Sequence, residues 1–206
     1  MKPMVLCISR TALDAQGISY PTSGIFDFNV DKVDIQDFHF INRKVVDSHD
    51  DSQYKRIGLH LPQILPYIVI TDGKGKYLSY NRNGTETRLY GNRSIGIGGH
   101  VDIDDIVFKH DGVIPTSTID LACTRELSEE ILWRGDGSSS LEFTKLIVDT
   151  SNPVGKVHVG LFATLVYPNA QPQEELYDAK WLTADDLRSN IKAYENWSQL
   201  IIKDYL

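Results

Sequence analysis

Cys123, Leu127 and Ile131 recur four positions apart, and Glu126 and Glu130 keep the same spacing in the adjacent row. Positions three and four apart share a helical face, so residues 119–133 read as an amphipathic helix with an apolar side and an acidic flank. Glu129 joins Glu126 and Glu130 in that flank. Like charges so placed cost about 0.2–0.5 kcal/mol per solvated pair, and a divalent cation converts the penalty into binding. This helix constrains the fold because strand patterns lie on both sides of it. Residues 65–70 are apolar and β-rich, stop at Asp72-Gly73 and resume at 77–80, as in a hairpin. Residues 141–149 and 158–167 read as strands by their β-branched and aromatic content, with 171–178 a polar loop. Thr183, with Asp186 three positions on, reads as a capping box before a helix, and a last amphipathic helix spans 191–205. Strands around one central helix, with a helical pair at the end, give an α+β chain: a mixed sheet sandwiched between helices.

Residues 1–60 are polar, with short strand candidates at 5–8 and 38–41, and read as an N-terminal extension packed on a core domain of residues 61–206. A chain of 206 residues that is 41% hydrophobic can bury one sizeable core. Its net charge of −7 argues against general affinity for nucleic acid or anionic membrane. Cys7 and Cys123 match no disulfide or zinc spacing and read as buried, reduced thiols. Without a leader pattern or an 18-residue apolar window, the chain is expected in the cytoplasm.

Upstream of the helix runs Gly98-Gly99-His100-Val101-Asp102, a turn whose glycines let backbone and ligand approach closely. Together with Arg125-Glu126-Leu127-Ser128-Glu129-Glu130, it resembles the Nudix hydrolase box: Gly, five residues, Glu, seven residues, then Arg-Glu-apolar-x-Glu-Glu-x-Gly. There are three departures. Asp105 stands for the first Glu, 19 residues rather than seven separate it from Arg125, and Leu132 replaces the closing glycine, with Gly135 just beyond able to end the helix a turn later. The insertion, containing Phe108, Asp111-Gly112 and Pro115, reads as a longer loop or small hairpin, with Thr116, Ser117 or Thr118 capping the helix. The stretch 63–102, Val157 to Leu161 and Glu195-Asn196-Trp197-Ser198 resemble a bacterial branch of predicted Nudix phosphoesterases.

The resemblance implies an α/β/α sandwich and a Mg²⁺- or Mn²⁺-dependent hydrolase cleaving a phosphoanhydride or phosphoester in a nucleoside diphosphate-linked small molecule. It implies metal ligation by Glu126, Glu129, Glu130 and the Gly98 carbonyl, with Arg125 pairing to Asp105 to orient the cluster. Glu129, Glu130, Glu174 and Glu175 all qualify as the general base. Tyr80, Arg82, Arg88, Tyr90 and Arg93 are candidates for base stacking and phosphate pairing, or else solvated loop residues. His100 is a candidate phosphate contact or an unpartnered turn histidine, and His158 a core histidine. Trp181 and Trp197 read as packing residues. A homodimer is compatible with this reading. The alternative is a non-catalytic Nudix-fold binding or sensor module, favoured by the insertion and the absent glycine; a structural acidic domain without ligand is a third reading.

Overall fold

The computed structural model describes residues 4–19, 22–47, 61–82, 91–109, 112–133, 141–174 and 176–206. Its strands are β1 Met4–Ile8, β2 Gly24–Asp27, β3 Phe38–Asn42, β4 Gln63–Thr71, β5 Lys76–Arg82, β6 Arg93–Ser94, β7 Gly96–Gly98, β8 Phe108–Lys109, β9 Gly112–Val113, β10 Lys145–Val148, β11 His158–Val166 and β12 Leu176–Thr183. The main sheet follows the order β12-β5-β4-β11-β10-β2, with β1, β3, β6 and β7 branching from it. It is mixed: β11 runs parallel to β4, while β10 and β7 are antiparallel to their neighbours.

Strand β4 shows how the sheet acquires two buried faces. Alternate side chains point to opposite sides. Ile64, Ile68 and Ile70 join Cys123, Leu127 and Ile131 of the central helix, Pro115–Ile131, in one core. Tyr67 and Val69 face the other way and pack with Leu187, Ile201 and Ile202 of the two C-terminal helices, Ala184–Ser189 and Asn196–Asp204. The outcome is the helix–sheet–helix sandwich of an α+β protein. Among the described residues, no helix is long and apolar enough to cross a membrane.

The N-terminal segment, read from sequence as an extension, supplies strands to this sheet. β1 pairs along its length with β3 and meets β4 at Cys7 and Gln63, while β2 pairs with β10. Helix α1, Arg10–Ala15, and helix α2, Arg43–Asp47, follow β1 and β3. Cys7 and Cys123 are free and buried, and burial pushes the Cys7 thiol up to about 12, which leaves it unreactive.

Several boundaries differ from expectation. The central helix starts earlier, with Ile114 at the N-cap position and Pro115 in the first turn, where its missing N–H costs nothing. The Thr118 hydroxyl, expected as a cap, instead accepts a bond from Val107 N at 3.0 Å. Residues 141–144 lie outside β10, residues 176–178 open β12 instead of staying in a loop, and the last helix is divided by an extended Tyr194. The expected capping box of Thr183 and Asp186 is present.

The helix also ends at Ile131, before Gly135, because Leu132 itself takes the left-handed conformation (φ 50°, ψ 46°). That backbone costs a non-glycine residue roughly 1–2 kcal/mol, whereas glycine costs roughly 0.5–1 kcal/mol in chain entropy. Leu132→Gly is therefore expected to raise stability by up to about 1 kcal/mol. Urea denaturation checks it; a lower midpoint would mean that packing by the Leu132 side chain outweighs the strain.

Candidate functional site

β7 delivers the chain into the Gly98–Gly99 turn, and each glycine is there for a different contact. A Cβ on Gly98 would stand 2.4 Å from the Pro66 carbonyl oxygen of the neighbouring strand, so that position serves backbone packing. A Cβ on Gly99 would stand 2.0 Å from the Glu126 carboxylate carbon. The Glu126 carboxylate thus lies directly on the turn, in space that any side chain would fill.

Arg125 locks the next layer. Its Nε and Nη2 donate to the two oxygens of Asp105 at 3.0 and 2.8 Å, Nη2 also donates to the His100 carbonyl at 2.9 Å, and Nη1 donates to Glu126 at 2.7 Å. Glu129 lies 3.9 Å from Nη1. Asp105 is only 4% exposed, and it also accepts from Asp102 N at 2.9 Å, closing a short 3₁₀ turn, Ile103–Asp105. The long insertion leaves this pair in place because it folds back as the β8–β9 hairpin, held by Ile114 N donating to Val107 O at 2.9 Å.

The three glutamates differ in setting. Burial raises the Glu126 pKa, with Arg125 opposing that shift. Glu130 is 7% exposed, whereas the Glu129 side chain is 62% exposed. The Glu130 carbonyl accepts from Gln173 N at 2.8 Å, which ties the loop carrying exposed Glu174 to the end of the central helix. Glu175 lies outside the described residues. The donor chemistry suits a hard cation: carboxylate oxygens beside a glycine backbone whose cradle admits one of them. Among the described residues, however, no three His, Cys, Asp or Glu side chains already stand together as a metal site. Arg125 instead spans Glu126 and Glu129.

The expected substrate contacts are redistributed. Tyr80, a stacking candidate, is fully buried and donates to the Gly96 carbonyl at 2.6 Å, so its ring supports β7 and offers no face to a ligand. Arg93 is held by Ser79 and Asp178. Arg88, Tyr90 and the side chain of Arg82 lie outside the described residues. The His100 ring packs edge-on against His158 at 5.8 Å, and its pKa falls to about 3 through burial and then the charge of Arg43, which makes it a neutral ring rather than a cation for phosphate. His158 is buried, with Nδ1 2.7 Å from the Val154 carbonyl, as a core histidine should be. Trp197 packs edge-on to Tyr67, and Trp181 packs on the main core.

Sequence reading gave no role to one contributor. Glu195 caps the C-terminal helix, accepting from Trp197 N at 2.8 Å and Ser198 N at 2.9 Å, and also takes a short bond from the Tyr67 hydroxyl. Tyr67 pairs with Gly98 across β4 and β7, so this buried network braces the strand that carries the turn. The acid directly preceding Asn196-Trp197-Ser198 was the available signal.

No family model matches the chain. Protein YmaB of Bacillus subtilis (strain 168) is 30% identical over 164 residues, covering 76% of this chain and 73% of that protein. The crystal structure of Tm1382, described as a proposed Nudix hydrolase, superposes with a TM-score of 0.69 at 21% identity, covering 97% of this chain and 96% of that one. A Nudix hydrolase from Alicyclobacillus acidocaldarius gives 0.47 at 16% identity, covering 69% and 90%. The chain therefore belongs to the family of Protein YmaB and has the fold of Tm1382, with the Gly98–Gly99 turn set against the Arg125–Glu130 helix.

Proposed function

We propose that the protein hydrolyses a phosphoanhydride, or a phosphoester, in a small nucleoside diphosphate-linked molecule. The observation that carries this reading is the Glu126 carboxylate seated on Gly99, with Arg125 fixed between Asp105 and Glu126. Glu126, Glu129, Glu130 and the Gly98 carbonyl would hold Mg²⁺ or Mn²⁺. Such a cation neutralises phosphoryl oxygens and acidifies a bound water. Arg125 acts on the acids rather than the substrate: its guanidinium is already committed to four acceptors on Asp105, His100 and Glu126. The proton of the attacking water would pass to Glu129, Glu130, Glu174 or Glu175. Glu174 has the advantage of a loop tethered to the helix end yet open to solvent. Arg82 and Arg88 remain candidates for substrate phosphates. The compartment proposed is the cytoplasm, and a homodimer is compatible with the reading.

A panel of nucleotide sugars, nucleoside triphosphates, dinucleoside polyphosphates and dinucleotide cofactors tests this. Release of phosphate or nucleoside monophosphate is expected with Mg²⁺ or Mn²⁺ and none with a chelator. The arginine spanning Glu126 and Glu129 favours a second reading, a non-catalytic binding module. It predicts ligand-dependent stabilisation without turnover. Both readings predict that Mg²⁺ raises the melting temperature, since a cation bound only by the native state at 100 times its Kd adds about 2.7 kcal/mol. A melt unmoved by Mg²⁺ would reject both in favour of an acidic domain without a metal.

A further inference from the structure

We infer that the cleft between the N-terminal strands and the start of the central helix is a substrate subsite, which takes a ring-sized apolar group attached to the diphosphate; the inference rests on the hydrolase reading. The cleft encloses about 120 Å³, with Leu6, Ile35, Phe38 and Phe40 of the N-terminal segment on one side and Val113, Pro115 and Thr118 on the other. Neither wall comes from the Gly98–Gly99 turn or the Arg125–Glu130 run. One is built by β1, β3 and the turn before β3, the other by the inserted hairpin and the first turn of the helix. Leu6 and Thr118 are buried, whereas Ile35 is exposed and so marks the rim. Phe108 is the register partner of Val113, and opposed side chains of a hairpin share one face. Phe108 is 70% exposed. An aromatic ring thus stands in solvent beside the cleft, where a bound apolar group would cover it.

Hydrogen bonds tie both walls to the acidic cluster. On the hairpin side Thr118 Oγ1 accepts from Val107 N at 3.0 Å, and Asp105, just before Ile106 and Val107, holds the Arg125 guanidinium. On the strand side Leu6 N donates to Val101 O at 2.9 Å, and the preceding His100 carbonyl accepts from Arg125 at 2.9 Å. Thr118 and Arg125 share one face of the central helix, two turns and about 10.5 Å apart along its axis. A group carried on the diphosphate through a short linker covers that span. The lining decides what the group is. An apolar cavity of about 150 Å³ takes up benzene, so the cleft suits one ring or a branched chain of similar bulk. Thr118 is the one polar side chain in this lining, and its oxygen is already engaged by Val107 N. A sugar or a base edge would surrender hydrogen bonds to water there without replacement, whereas an apolar ring surrenders none.

Calorimetric titration with methylenediphosphonate, a non-hydrolysable pyrophosphate, and with its phenylalkyl esters of increasing length tests the subsite without requiring turnover, all in the presence of Mg²⁺. Once the linker spans from the acids to the cleft, the phenyl group is expected to strengthen binding at least tenfold over the unsubstituted probe, and a hydroxyalkyl ester of equal length to bring no such gain. Val113→Trp fills the cleft, and the phenyl gain, measured against the unsubstituted probe on the same variant, should disappear. Thermal melts verify folding; should Val113→Trp not fold, Ile35→Asp, which puts a charge at the exposed rim, makes the same test. A phenyl gain retained in the folded variant, or absent from wild type at every length, overturns the inference and leaves the hydrolase reading standing. A phenyl gain that the variant abolishes, with no metal-dependent turnover of any panel substrate or phenylalkyl diphosphate, overturns the hydrolase reading and leaves the cleft as the apolar subsite of a binding module. Failure of wild type to bind any of these probes overturns the inference whatever the turnover result.

Discussion

Gly99→Ala is expected to lower metal-dependent turnover by at least 100-fold while the protein stays folded. The added methyl would stand 2.0 Å from the Glu126 carboxylate carbon and from Oε1. Glu126 is the flexible partner in that clash, so its carboxylate must swing away from the turn rather than the backbone breaking. A misplacement of about 1 Å in a catalytic constellation costs on the order of 10²-fold, equivalent to about 2.7 kcal/mol of barrier. Stability should change little, because the turn keeps its hydrogen bonds and Gly99 does not have positive φ. Gly98→Ala is the contrast: its methyl would meet the Pro66 backbone oxygen at 2.4 Å, so the strand pairing itself must yield and the melting temperature should fall. Steady-state rates and melts of both variants separate the two glycines. Wild-type turnover in Gly99→Ala would show that the seat of Glu126 is irrelevant to the chemistry, whichever residues bind the metal.

The contrast also shows what kind of information a sequence carries. The central helix, the hairpin around Asp72–Gly75 and the capping box at Thr183 were legible because each depends on local spacing, and the structure has them. Tyr80 was not. Strand β5 is buried on both faces, with Leu78 and Tyr80 in one core, Tyr77 against the other and Ser79 buried, so alternation carried no inside or outside label. Leu132 gave no local hint of a left-handed backbone; only its register in the Nudix-like box marked the position. The proximity of Asp105 to Arg125 survives an insertion that spacing alone would take as disruptive, because closure depends on Val107 meeting Thr118 and Ile114. The pairing of β1 with β3 joins Met4–Ile8 to Phe38–Asn42, a contact between distant segments that no short motif encodes.

Asp105→Ala should be the most destabilising single change at the site, by about 2–3 kcal/mol. Breaking a buried pair by removing one partner typically costs 3–5 kcal/mol, because it strands the other charge. Here Arg125 retains 33% side-chain exposure, and water can take up part of the loss, which lowers the expectation. The Asp105 carboxylate also holds Asp102 N, so the alanine opens the 3₁₀ turn as well as the ion pair. Arg125→Lys should retain more stability but little more activity. An ammonium can sit near Asp105, yet it lacks the planar fork that reaches both Asp105 oxygens, the His100 carbonyl and Glu126 together. Denaturation midpoints and turnover measured on the same variants distinguish these roles. If Asp105→Ala loses stability but keeps wild-type turnover, Arg125 is only a clasp between loop and helix. If Arg125→Lys loses turnover while remaining folded, the guanidinium fork sets the position of Glu126, and the inserted hairpin is tolerated because it leaves that fork in place.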